Sequence, residues 1–177
     1  MICRRLFLIF IFSLSINFTF AEINISEINP EIILYKSIDN IDLNLHVYRP
    51  ENFNSSKIYK CIVFFHGGAW KNQYIKQFEK QSVYFASRGM IAIIAEYRVT
   101  SIHNSTPFQS VEDAKSAIRY IRSNAKSLSL DPEKIAVSGG SAGAHLAAAS
   151  ANISNYDNVN ENLKISSKPN LLILFNP

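Results

Sequence analysis

Ser141 stands between glycines in the run Gly139-Gly140-Ser141-Ala142-Gly143, after the apolar residues 135–138 and before the small-residue run 144–151. A strand, a sharp turn carrying serine and then a helix is the setting in which Gly-x-Ser-x-Gly presents a hydroxyl as a nucleophile. Glycines on both sides let two backbone segments pass without Cβ clashes and tolerate the dihedrals of so tight a turn. The helix that follows would aim its first N–H groups and positive dipole end at negative charge developing beside the hydroxyl. By itself the pattern fixes three common residues, and a glycine-rich turn without chemistry satisfies it equally. A phosphate loop is a weaker reading, because residues 139–143 lack the Gly-Lys-Ser/Thr ending that such a loop uses.

A second glycine pair gives the first its context. His66-Gly67-Gly68-Ala69-Trp70 follows the apolar run 61–65 and precedes a helix expected from near Asn72 to Gly89, a usual terminator. In this order the two motifs resemble the α/β-hydrolase superfamily, and within it the serine esterases and lipases with a His-Gly-Gly oxyanion loop. Glu96-Tyr97-Arg98, Val111-Glu112-Asp113-Ala114 and the run from Asp131-Pro132-Glu133 through His145-Leu146 carry the same resemblance, which covers nearly all of the chain after residue 31. It is similar above all to secreted bacterial carboxylesterases of the acetyl-xylan and feruloyl esterase kind.

The resemblance implies a carboxylic-ester hydrolase working through an acyl-enzyme on Ser141. Gly139, Gly140 and Gly143 would form the nucleophile elbow, and the backbone N–H groups of Gly67, Gly68 and Ala142 the oxyanion hole. Neither a cofactor nor a metal is implied, and the substrate would be a small-molecule or carbohydrate ester. His66 would be structural and Asp113 would support the fold. The loop departs from three glycines in reading Gly-Gly-Ala-Trp. Trp70 could wall the acyl pocket, but a large aromatic more often packs. Two other readings stand beside the esterase: a serine peptidase of the same fold, and a non-catalytic binding protein on the hydrolase scaffold.

Acyl transfer by serine also needs a base and an acid that orients it, and in this superfamily both follow the serine. His46, His66 and His103 precede Ser141, while His145 lies one helical turn beyond it, where packing is expected rather than proton transfer. Asp157 and Glu161 are the acidic residues after the serine, and both read as solvated residues of an Asn-rich loop. The chain ends at Asn176-Pro177, directly after the apolar run 171–175. The expectation is therefore a C-terminally truncated, inactive and poorly soluble polypeptide whose base and acid lie beyond Pro177, with 171–175 an exposed strand edge.

The elements that must position these groups are legible as patterns. Residues 61–65, 91–95, 135–137 and 171–175 are continuous apolar runs, as in parallel strands buried on both faces. Residues 31–37 and 43–48 alternate better and read as an antiparallel edge. Val111, Ala114, Ile118, Ile121, Ala125 and Leu128 form one apolar stripe, predicting a helix over 107–128 with Thr106 as its cap, Gln109 completing the box and Pro107 at the first position. The fold class is α/β, a mostly parallel sheet with helices on both faces, incomplete at its C-terminus.

Bulk properties set the remaining bounds. Arg4 and Arg5 precede the apolar residues 6–20 and a small-residue site at Ala21, which reads as a signal peptide over 1–21 and a secreted or periplasmic protein without stable membrane insertion. Those two arginines supply half of the formal net charge of +4, and nothing else in the chain points to nucleic acid. Residues 22–177 suffice for one, partial, hydrolase domain. Cys61 is then the one remaining cysteine, inside an apolar strand and inert. The Asn-x-Ser/Thr sequons at Asn24, Asn54, Asn104 and Asn152 carry no assigned role, and the oligomeric state is not legible.

Overall fold

The three apolar runs before and after the glycine loops lie side by side as parallel strands in a computed structural model, which describes residues 29–177. They are β3 (Tyr59–Phe65), β4 (Ile91–Ala95) and β5 (Leu130–Gly140), with β6 (Leu171–Phe175) parallel to β5. β1 (Glu31–Ile38) and β2 (Ile41–Tyr48) form a hairpin that joins β4 antiparallel, giving the order β1-β2-β4-β3-β5-β6. The expected signal segment, residues 1–21, lies outside the described residues. Asp39 and Asn40, both at positive φ, make the two-residue hairpin turn that suits the twist of the strands.

Side-chain alternation along β3 divides the core. Cys61, Val63 and Phe65 face the cluster built on α3 (Pro107–Ser123) and α4 (Ala142–Asn152), whereas Ile62 and Phe64 face α1 (Glu79–Ser87). Burial in the first cluster raises the Cys61 thiol pKa, in keeping with an inert residue. Helix α3 starts as its sequence predicts, with the Thr106 and Gln109 capping box and Pro107 in the first turn. It ends five residues earlier than the apolar stripe suggests. The Asn124 side chain reaches back to the Tyr120 carbonyl, and turns then carry Ala125 and Leu128 into the same core. The helix after Trp70 also starts later than expected, because residues 68–74 are spent on a turn and a 3-10 turn (Ile75–Phe78) leads into α1. Its end is a Schellman motif, with Gly89 at φ 82° donating to the Ala86 carbonyl and Met90 to that of Phe85.

Charge ties the periphery to this core from both sides of α3. A bulge between Leu34 and Lys36 turns both Tyr35 and Lys36 inward. Lys36 Nζ meets Asp113 at 2.7 Å and Glu112 at 2.8 Å, while Arg98 Nε meets Asp113 at 2.7 Å. Asp113 also accepts the Arg98 backbone N–H at 3.0 Å. It thus supports the fold by joining β1, α3 and the end of β4. Further round the helix, Lys115, Arg119 and Arg122 take carbonyl oxygens of Ile153, Asn155, Ile165, Ser166 and Lys168. Asp157 and Glu161, which the sequence placed on a solvated surface, are instead the carboxylates facing Lys115 and Arg119. The correction follows from those two cations being buried, since a buried charge is tolerated only when paired.

Burial alone would raise the Asp157 carboxyl, but hydrogen bonds from Lys115 and Arg119 outweigh it and hold the group below its ordinary value of 3.8. Asp157→Asn is expected to cost about 2 kcal/mol, read from denaturant midpoints, because Lys115 loses its counter-charge but keeps two carbonyls. A depressed folded pKa places this contribution above about pH 4 and removes it as pH falls through the folded value. Wild type and variant should therefore converge in stability in acid; a gap that widens there overturns the assignment.

Candidate active site

Ser141 sits where β5 gives way to α4, at φ 52° and ψ −119°, an unfavourable conformation for a residue with a side chain. Two bonds hold it there. Its N–H donates to the Phe175 carbonyl at the end of β6 at 2.9 Å, and its carbonyl accepts from His145 N–H at 3.0 Å. The serine is exposed, whereas Ala142, Gly143 and Ala144 behind it are buried. Steric demand explains the flanking glycines. A Cβ on Gly143 would lie 2.1 Å from the Phe65 carbonyl oxygen and 2.5 Å from that of His66, and one on Gly139 would lie 2.4 Å from the Gly143 backbone. The third, Gly140, faces the Phe78 ring, 3.3 Å from where its Cβ would be.

The same contacts bring residues 66–70 beside the elbow. Gly68 at φ 120° has no room for a side chain, since a Cβ would meet the Asn72 carbonyl oxygen at 2.4 Å. Ala69 and Trp70 are also at positive φ, and Thr100 N–H fixes the turn by donating to the Trp70 carbonyl at 2.9 Å. The Gly67 N–H, expected to join the oxyanion hole, is already donated to Gln77 Oε1 at 2.5 Å. Among the described residues the N–H groups of Gly68, Ala69 and Ala142 have no protein acceptor. Gln77 was missed by the sequence reading, and no motif signals a side chain that bonds a backbone amide ten residues earlier.

The four histidines take other partners. His66 is buried, stacks on Tyr97 with ring centroids 4.3 Å apart and donates from Nδ1 to the Gly67 carbonyl at 2.6 Å. Burial lowers its pKa and keeps the ring neutral. His46 Nε2 lies 2.8 Å from Glu96, whose carboxyl burial would raise but which hydrogen bonds from His46 and Asn44 hold below its ordinary value. His103 Nδ1 accepts from Val99 N–H. His145 stands edge-on to Trp70 at 5.2 Å, and Trp70 packs against the core. Neither the histidines nor Asp157 and Glu161 hydrogen-bond the Ser141 hydroxyl. The arrangement supplies a strained hydroxyl and backbone donors, the parts that attack a carbonyl and hold its oxyanion. Among the described residues no cluster of His, Cys, Asp and Glu could hold a metal, and no helix is long and apolar enough to cross a membrane.

Comparison with known proteins points the same way. The BD-FAE family model matches residues 45–172. Endo-1,4-beta-xylanase B of Butyrivibrio fibrisolvens is 32% identical over 123 residues, 66% of this chain and 19% of that protein. Carboxylesterase NlhH of Mycobacterium tuberculosis is 27% identical over 114 residues, 63% of this chain and 34% of that protein. The solved esterase 2 of Thermogutta terrifontis superposes with a TM-score of 0.82 at 46% identity, over 84% of this chain and 56% of that one. Its structures include propionate-bound and butyrate-bound forms and a form phosphonylated by cyclosarin. The chain thus spans little more than half of that esterase, about a third of the carboxylesterase and about a fifth of the xylanase.

The glycine contacts carry a direct expectation. Gly143→Ala should cost more than about 3 kcal/mol, because its methyl meets backbone that cannot move without parting β3 from α4. Denaturation of the variant near the wild-type midpoint would show that the two segments are not in contact.

Proposed function

The chain belongs to the BD-FAE family, and from that premise we propose that it carries the nucleophile and oxyanion-binding portion of a carboxylic-ester hydrolase that works through an acyl-enzyme on Ser141. Its fold is the α/β-hydrolase fold, a mostly parallel six-stranded sheet with helices on both faces. The observation that carries the reading is the position of Ser141, exposed at positive φ between the unpartnered N–H of Ala142 and the loop that offers Gly68 and Ala69. Ser141 Oγ bonds to the ester carbonyl carbon, and the carbonyl electrons move to an oxyanion held by these donors. The serine proton passes to a general base and on to the departing alcohol, leaving the acyl group on Ser141; water then attacks and frees the acid. We assign the base and its acid partner to polypeptide corresponding to the part of the solved esterase that this chain does not span.

For the substrate we infer a short-acyl ester of a small alcohol or sugar, supported by the propionate-bound and butyrate-bound forms of the structural relative. In the protein that joins this chain to its base and acid, Ser141→Ala should reduce p-nitrophenyl acetate turnover to the uncatalysed level and abolish the phosphonyl adduct that a fluorophosphonate leaves on the peptide containing residue 141. Turnover that survives the substitution excludes this serine. An extracytoplasmic location belongs to the same reading and rests on residues 1–21. Fractionation of producing cells should find the protein outside the cytoplasm with Glu22 at its N-terminus by mass spectrometry, and recovery of the chain from the cytoplasm with residues 1–21 intact would reverse it.

A further inference from the structure

We propose that Gln77 is the positioning residue of the oxyanion loop, holding it through the Gly67 N–H so that the following donors face Ser141. The inference rests on the esterase reading. Gln77 sits on the 3-10 turn Ile75–Phe78 that leads into α1, and its Oε1 accepts the Gly67 N–H at 2.5 Å. The same amide lies under the elbow, with Nε2 at 3.6 Å from the point where a Gly140 Cβ would stand and 3.5 Å from the corresponding point on Gly67. One side chain therefore bonds the backbone of the first motif and lies beside the second. A Cβ at residue 67 or 140 would rest in ordinary van der Waals contact with this amide, so the amide packs against both motifs without requiring their glycines.

The bond matters because of where it falls. Upstream the loop is anchored by β3 at Phe65, and downstream by Thr100 at the Trp70 carbonyl. Between these anchors lie two non-glycine residues at positive φ, Ala69 and Trp70, which relax toward ordinary backbone unless the segment is held. Gln77 fixes the segment at its first amide and takes that amide out of the set available to an oxyanion. The remaining donors point where the loop conformation directs them, and that conformation decides how well they meet the transition state. Gln77 is itself exposed, so removing its amide opens no cavity in the core.

Gln77→Ala and Gln77→Glu separate this role from a merely structural one. Hydrogen exchange of the Gly67 amide, read on the chain itself, should accelerate several-fold or more in the alanine variant. Glutamate keeps an acceptor, so protection should return in Gln77→Glu. In the protein that joins this chain to its base and acid, the alanine variant should lose about three- to tenfold in kcat on p-nitrophenyl acetate with little change in KM, the loss of one neutral hydrogen bond expressed in the transition state. The glutamate variant should stay low in kcat because its charge faces the developing oxyanion. Unchanged Gly67 exchange in Gln77→Ala, a loss confined to KM, or failure of glutamate to restore protection overturns the proposal. Absence of turnover in the protein that joins this chain to its base and acid, together with exchange that follows the expected pattern, would count against the esterase reading and leave the Gln77 bond standing.

Discussion

The first turn of α4 is pressed onto the last carbonyls of β3, with Gly143 where even a methyl group would collide with Phe65 and His66. Everything at the site depends on that approach. It sets the distance between the serine turn and residues 66–70 by backbone contact, which is far less compressible than contact through flexible side chains. Gly139 is needed for the same reason one turn earlier in the bend, where its Cβ would strike Gly143. The two glycine motifs are consequently one steric unit although nearly seventy residues separate them. Ser141 takes its unfavourable φ because the chain must reverse within this contact, and the bonds to Phe175 and His145 offset part of that strain.

Helix α3 does the complementary work with charge. One of its sides buries Asp113 against Lys36 and Arg98, and another extends Lys115, Arg119 and Arg122 to the connection between α4 and β6. Such a connection, long and without regular structure of its own, loses conformational entropy on folding with little apolar burial in return. Its carbonyls instead meet cations whose burial would be prohibitive without them. The result anchors β6 in place, and β6 supplies the carbonyl that holds the nucleophile's N–H. A line of dependence therefore runs from the α3 cations through the loop and the edge strand to Ser141.

The sequence revealed those features that are local or periodic. β4 and β6 match their apolar runs residue for residue, and the α3 start was readable because Thr106, Pro107 and Gln109 each perform a defined capping task. Relative identity of 46% to a solved esterase explains why the motif order led to the right fold. What escaped was contact between distant segments. Asp157 and Glu161 look solvated until Lys115 and Arg119 are known to be buried, and polar composition is the same in both cases. The end of α3 escaped because turns carry Ala125 and Leu128 into the same core as helical residues would. Gly67 looked free to donate because no rule of spacing announces Gln77.

On the proposed reading, the site divides acyl transfer along a physical line. Stabilising an oxyanion requires dipoles that are already oriented, because reorganising them during the reaction would consume the energy they contribute. Under that reading the requirement would fall to the most rigid material available, backbone amides held between β3, α4 and Gln77. Proton transfer demands something different, a group with a pKa near the working pH and freedom to alternate between two partners. His66 illustrates why the rigid layer does not provide it: buried, stacked on Tyr97 and bonded to Gly67, it is held neutral and aimed at the backbone. The same packing that fixes the N–H groups of Gly68 and Ala142 leaves no room for a titrating base between them. On the proposed reading, a base therefore reaches the exposed hydroxyl of Ser141 from its open side, where solvent can adjust its charge.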